Sequence, residues 1–221
     1  MLAPSYLAVN WLRQGFIPRP IVVFRFVGRP DRHTLSMPFD VLAISGSLRH
    51  DSSNTGLIRM AERLSRQLDG VLTVEFDPII GSLPFYNADL EDPDRTPDIV
   101  RTWRDRVAAC DALFIAAPEY NFGTTAVLKN AVDWATRPPG QHALRGKVIS
   151  LISSSASTGG KNMIEQYTNV LTLLGNTMIS EPDGAIVKGA QMISGDGSTT
   201  EPAMEALVLS RLQNLATALQ A

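Results

Sequence analysis

From Asp40 onward the sequence alternates short apolar runs with longer segments whose apolar residues recur at helical spacing, and this alternation leaves few folds open. Val41 to Ile44 reads as a buried strand, after which Leu57, Ile58, Ala61, Leu64 and Leu68 mark one face of a helix. Val71 to Phe76, Ala112 to Ala117 and Val148 to Ile152 read as three further strands, and Met178 to Ser180 together with Ala185 to Val187 as a fifth. Helical stripes fill the gaps: Val100, Trp103 and Val107; Leu128, Ala131, Val132 and Ala135; Met163, Ile164, Tyr167, Val170, Leu171 and Leu174; then Met204, Leu207, Val208, Leu212, Leu215 and Leu219. Parallel neighbours need crossover connections, and helices with a single apolar stripe supply them while covering the sheet. The expected fold is therefore α/β, a doubly wound five-stranded parallel sheet with helices on both faces. In such folds ligands bind beyond the C-terminal ends of the strands, so chemistry is expected at residues 45–54, 77–87, 118–126 and 153–162.

Composition narrows the function classes. Net charge is −2, with 20 basic and 22 acidic residues, so no general basic field attracts nucleic acid or anionic lipid. The lone cysteine, Cys110, cannot form an internal disulfide, and His33, His50 and His142 are too scattered for a metal cluster. These features fit a reducing compartment and a cytoplasmic location. No apolar run approaches the roughly 18 residues of a membrane helix. Residues 1 to 36 differ in kind: they hold five arginines, one acid and four prolines and show no sustained periodicity, although Ile21 to Val27 can form one strand. The Arg-rich, acid-poor start resembles a transit peptide, but arginines interrupt its apolar stretch. The working domain is expected to start at Met37 and run to residue 221, the preceding segment being an upstream translation or a dispensable tail.

Two loops carry most of the chemistry. The segment Ser45-Gly46-Ser47-Leu48-Arg49-His50-Asp51-Ser52-Ser53-Asn54-Thr55 joins the first strand to the first helix. Unpaired backbone N–H groups at the helix start lie at the positive end of the macrodipole; Ser47, Ser52, Ser53 and Asn54 add neutral donors, and Arg49 adds a fixed fork. A terminal phosphate monoester suits this set better than a pyrophosphate, because neither G-x-G-x-x-G nor a G-K-[ST] ending is present. The competing interpretation is a polar turn in which Ser52, Ser53 or Asn54 serves as N-cap. His50, beside Asp51, reads as a solvated turn residue. The second loop, Ala117 to Ala126, contains Pro118, Glu119, Tyr120 and Asn121, with Gly123 to free the backbone for a sharp turn and Thr124 or Thr125 to cap the next helix. Its backbone can lie flat against a planar ligand, or it is simply a polar turn. In the helix that follows, Lys129 and Asp133 form an i,i+4 ion pair, and Trp134 serves the core or a partner.

Gly46, Ser47, Leu48, Arg49, Ser52 and Asn54, then Pro118-Glu119-Tyr120-Asn121, then Leu128-Lys129-Asn130-Ala131-Val132-Asp133-Trp134, resemble in order the motifs of the NADPH-dependent FMN reductase family. More narrowly, they resemble its flavodoxin-like quinone and chromate reductase branch. Leu83 to Leu90 and Gly159-Gly160 are also similar to that branch, and the resemblance covers about residues 38 to 221. It implies that Ser47, Arg49, Ser52 and Asn54 hold the FMN phosphate with Ser53 beside them, and that Pro118, Glu119, Tyr120 and Asn121 bed the isoalloxazine ring. Ser153, Ser154, Gly159 and Gly160 would border its pyrimidine side. NADPH or NADH would be the co-substrate, a quinone, free flavin or metal oxyanion the acceptor, and the protein a homodimer or homotetramer.

Two departures stand out. Gly123-Thr124-Thr125-Ala126 lacks the proline that often starts the family's next helix, and Lys161-Asn162 follow Gly160 where Ala-Arg is common. Hydride chemistry carried by a flavin needs no catalytic nucleophile and no metal. The rival with the same cofactor is a flavodoxin-like single-electron carrier. Such carriers usually cover the ring with aromatics and are strongly acidic, whereas this chain has small residues at 123–126 and a mild net charge. A hydrolase built on Ser47 lacks the G-x-S-x-G elbow and a His in a partner loop.

Overall fold

The computed structural model describes residues 37–221, and the expectations for residues 1 to 36 lie outside the described residues. The strands are β1 (Phe39–Ser45), β2 (Leu72–Phe76), β3 (Ala112–Ala116), β4 (Val148–Ser155), β5 (Thr177–Ile179) and β6 (Ala185–Val187); the helices are α1 (Ser53–Ser65), α2 (Asp98–Ala109), α3 (Ala126–Ala135), α4 (Lys161–Leu173) and α5 (Pro202–Gln220). The main sheet has the order β2-β1-β3-β4-β5, and every pairing in it is parallel.

Side chains alternate across the sheet because successive residues of a strand point to opposite faces. Leu42 and Ile44 of β1, Leu113 and Ile115 of β3, and Ile149 and Leu151 of β4 join the core shared with α2, α3 and α4. Val41 and Ala43, Ala112 and Phe114, and Ile152 join the opposite core, made with α1 and α5. Both faces are dry, which is why these strands read as unbroken apolar runs rather than as alternating ones. Two buried indoles are satisfied within the core: Trp103 Nε1 donates to the Ala131 carbonyl at 2.8 Å, and Trp134 Nε1 to the Pro84 carbonyl at 2.8 Å. Trp134 is 1% exposed and edge-on to Tyr86, so it is core and not a surface offered to a partner. Lys129 and Asp133 form the expected i,i+4 pair at 2.6 Å.

The strand count changes at the end of the chain. Met178 to Val187, expected to give a single fifth strand, gives two. β5 pairs with the first half of β4, while β6 pairs with Ser153 to Ser155, the last three residues of the same strand. Ser180-Glu181-Pro182-Asp183-Gly184 separates them, and a proline cannot donate to a ladder. β4, at eight residues, is long enough to hold two short partners at different heights. No helix among the described residues is long and apolar enough to cross a membrane, and no group of three or more His, Cys, Asp or Glu among them can hold a metal ion.

Candidate active site

The loops after β1, β3 and β4 meet at the C-terminal edge of the sheet around a cleft of about 330 Å³. Gly46 brings the first two together: its N–H donates to the Ala116 carbonyl at 2.8 Å, and a Cβ there would stand 2.6 Å from the Cβ of Ala117. Ser45 Oγ bonds Thr55 Oγ1 at 2.9 Å and closes the loop onto the start of α1.

Of the residues expected at the site, Ser47, Arg49, Ser52, Ser53, Asn54, Pro118, Glu119, Tyr120 and Ser154 line this cleft. Ser52 is the N-cap residue by position, yet its side chain makes no cap bond, so its hydroxyl is not spent on the turn. The first N–H groups of α1 have no carbonyl inside the helix to bond. Arg49 donates to the Asp51 carbonyl at 2.7 Å and has no carboxylate partner among the described residues. His50 is exposed and does not line the cleft.

Asn54 has a structural role beside the one expected of it. Its Nδ2 donates to the Ser154 carbonyl at 2.9 Å, and its Oδ1 accepts from the Ser154 N–H at 2.9 Å. The amide of Asn54 therefore clamps α1 to β4, and its second Nδ2–H and its backbone N–H remain for a ligand. Ser53 Oγ likewise bonds Ser154 Oγ at 2.8 Å. The Glu119 side chain is likewise engaged within the protein. Its Oε1 accepts from Thr158 Oγ1 at 2.9 Å and Asn162 Nδ2 at 3.0 Å, and its Oε2 from the Met163 N–H at 3.2 Å, so the carboxylate caps α4. Burial works to raise the Glu119 pKa, but the bonds from Asn162, Met163 and Thr158 together outweigh it and hold the carboxyl below its usual range. The Glu119 N–H donates to Ser155 Oγ at 2.8 Å, and Pro118, Glu119 and Tyr120 line the cleft.

Four expected residues do not reach the cleft wall: Asn121, Ser153, Gly159 and Gly160. Asn121 (φ +50) and Phe122 (φ +63) form the two left-handed positions of a turn closed by mutual 3.0 Å bonds between Tyr120 and Gly123. This is a type I′ geometry. It corrects the role of Gly123, which is not left-handed; a Cβ there would lie 3.3 Å from Gln166 Oε1, so its smallness serves the approach of α4. Ser153 is fully buried under Gly160, and Gly159 and Gly160, at φ +66 and +91, turn the chain into α4 behind the wall. Thr125, not Thr124, caps α3, accepting from the Leu128 N–H at 3.3 Å, and so substitutes for a starting proline.

Ser155, Ala156, Lys188, Ala190 and Gln191 complete the lining. Sequence reasoning missed the last three because they follow β6, which local periodicity merges with β5. The only signal was the pair of glycines, Gly184 and Gly189, bracketing a three-residue apolar run. Lys161 does not line the cleft, whereas Lys188 does, together with Arg49.

An open cleft with an uncapped helix terminus, hydroxyls and a guanidinium at one end, and a strand-exit backbone along another wall, matches the demands of a phosphorylated planar cofactor such as FMN. Residues 39–191 match the model of the family described as NADPH-dependent FMN reductase. The chain belongs to that family. It is 35% identical over 185 residues to a probable NADPH:quinone oxidoreductase 2 of Oryza sativa subsp. japonica, covering 82% of this chain and 87% of that one. An NAD(P)H-dependent FMN reductase of Pseudomonas aeruginosa is 32% identical over 182 residues, with 82% and 95% covered. Among solved structures, a flavoenzyme NAD(P)H:(acceptor) oxidoreductase from Paracoccus denitrificans superposes with a TM-score of 0.71 at 31% identity, covering 82% of this chain and 97% of that one. As a member of the FMN reductase family, the chain is a flavodoxin-like oxidoreductase that works with FMN and a reduced pyridine nucleotide.

The Glu119 cap gives this reductase a pH signature. A carboxyl whose folded pKa lies below its unfolded value adds stability that is fully present above the unfolded pKa and is lost as pH falls through the folded one. Glu119→Gln is expected to unfold at lower temperature than the parent above about pH 5, with the gap closing on acidification. Thermal scans from neutral pH down to pH 3 check this, and a gap independent of pH would sink it.

Proposed function

We propose that this chain passes hydride from NADPH or NADH through bound FMN to a small oxidised acceptor of the quinone type. The observation that carries the reading is the cleft itself: the uncapped start of α1, with Ser52 and Arg49, meets the backbone of Pro118 to Tyr120 across one open cavity. Bound FMN supplies the centre that takes a hydride from reduced nicotinamide and returns the electron pair to an acceptor.

The protein's own groups do the rest. N–H groups of the first turn of α1 and the hydroxyls of Ser47 and Ser52 bind the phosphate, and Arg49 pairs with its charge. Pro118, Glu119 and Tyr120 orient the ring through their backbone, held in place because the Glu119 carboxylate is fastened to α4 and its N–H to Ser155. Ser154, Ser155 and Ala156 would form a further wall against the ring. The cleft is open to solvent, which would suit nucleotide and acceptor binding in turn at a flavin held there and disfavours a carrier whose ring is covered.

The test is a purified sample scanned for bound flavin and assayed for NADPH and NADH oxidation against a quinone panel. Sustained, quinone-dependent turnover is expected; flavin binding without it would favour the single-electron carrier. In Arg49→Ala, loss of a charge-assisted contact of about 1.5–3 kcal/mol should weaken FMN binding roughly ten- to a hundredfold. Light scattering on the same sample is expected to give a homodimer. Leu48, Phe85 and Phe122, on the loops after β1, β2 and β3, are 67%, 82% and 76% exposed, and a second copy would cover them. A monomer at micromolar concentration would remove that part of the reading.

A further inference from the structure

We propose that Lys188 is the second cation of the FMN phosphate site, acting with Arg49 from the opposite side of the α1 terminus. The proposal rests on the FMN reading of the cleft and adds to it a residue outside both recognised loops.

Lys188 directly follows β6 and lines the cleft. The backbone carries it to the phosphate end by a short chain of contacts. Its N–H donates to the Ser155 carbonyl at 2.9 Å, and the next residue, Gly189, packs so tightly on Ser154 that a Cβ would collide with the Ser154 hydroxyl. That hydroxyl bonds Ser53 Oγ, in the first turn of α1, at 2.8 Å. The chain after Lys188 stays there: Gly195 N–H donates to Asp51 Oδ1 at 2.6 Å, and Gly56 abuts the Ser194 carbonyl. Residues 188–195 therefore wrap the start of α1, and Ala190 and Gln191 line the same cleft.

Charge and conformation point the same way. A phosphate monoester carries nearly two negative charges at neutral pH, with a second pKa of about 6. Arg49 alone balances one. Lys188 has no carboxylate partner among the described ion pairs, so its ammonium is not committed elsewhere. It also sits at φ +55, ψ +28, in the left-handed region where glycine is the least costly residue. A lysine there costs the fold something that an ammonium aimed at an anion offsets.

That conformation makes the test clean. Lys188→Gly removes the ammonium while relieving the backbone, so the apo protein is expected to melt no lower than the parent. Affinities for FMN and for riboflavin, which lacks the phosphate, are measured by flavin fluorescence quenching on apoprotein. Lys188→Gly and Lys188→Met are expected to weaken FMN binding roughly tenfold, leave riboflavin binding unchanged, and be rescued by Lys188→Arg. Unchanged FMN affinity, or an equal loss for FMN and riboflavin, overturns the proposal while leaving the FMN reading intact. An increase in KM for NADPH but not NADH, with FMN affinity unchanged, also overturns it, placing the ammonium on the nucleotide's 2′-phosphate. If the parent protein binds neither flavin, the FMN reading fails and the proposal falls with it.

Discussion

Replacing Arg211 with methionine is expected to lower the melting temperature by about 10 °C, from a loss of roughly 3–5 kcal/mol spread over a domain of this size. Arg211 lies on α5 and is 1% exposed. Its Nε donates to Ser150 Oγ at 2.9 Å, its Nη2 to the carbonyls of Leu151 at 3.0 Å and Ile179 at 2.7 Å, and its Nη1 to the Pro182 carbonyl. Burial draws its pKa down to about 10, against the pull of Asp183 and Glu181, so it remains charged at neutral pH. Methionine fills much of the volume but leaves four acceptors without this donor, and an orphaned buried acceptor costs about 1–3 kcal/mol before water recovers part of it. Lysine should not rescue, because one ammonium cannot reproduce the planar fork that reaches four acceptors at once. The consequence extends to the cleft. The same connection presents the Gly184 carbonyl to the Ser153 N–H at 2.9 Å and sets β6 against β4, so flavin retention should fall alongside stability. Thermal unfolding of apo and flavin-loaded protein measures both, and a shift of only a degree or two in Arg211→Met would refute the account.

Asn54→Leu is expected to destabilise the apo protein by about 2–4 kcal/mol, because two buried backbone groups of Ser154 lose their partner together. An amide side chain offers the same donor and acceptor as a peptide group, and Asn54, 3% exposed, uses it to extend the ladder on the edge of β4 where the pairing with β3 has ended at Ile152. The resemblance to FMN reductases alone would make Asn54 a phosphate ligand, and that role without the clamp gives a different result. A phosphate ligand would leave apo stability untouched and weaken only FMN binding. A clamp lowers apo stability first and loosens the flavin site as a result. Calorimetry on apoprotein of the parent and the variant decides between them, and an unchanged apo transition would restore the ligand role.

The layered sheet, its two helical faces and the loops that bear the site were determined by the sequence itself, because each depends on patterning within about a dozen residues. An apolar run such as Ala112 to Ala117 specifies a buried strand, and stripes such as Val100, Trp103 and Val107 specify a covered helix face, without reference to anything distant. The polar clusters at Ser45 to Thr55 and Pro118 to Asn121 then fall at strand ends by the same local rule. What each polar side chain does there was decided only by the tertiary structure. Asn54 meets Ser154 a hundred residues away, and Glu119 meets Met163 across 44. Lys188 reaches the cleft only because β4 outlasts β5 and pairs a second strand. A hydrogen-bonding group bonds whichever partner folding brings within about 3 Å of it. Composition and spacing along the chain therefore say which donors a loop holds, while the packing of distant elements decides which of them are already spent and which are left for a ligand.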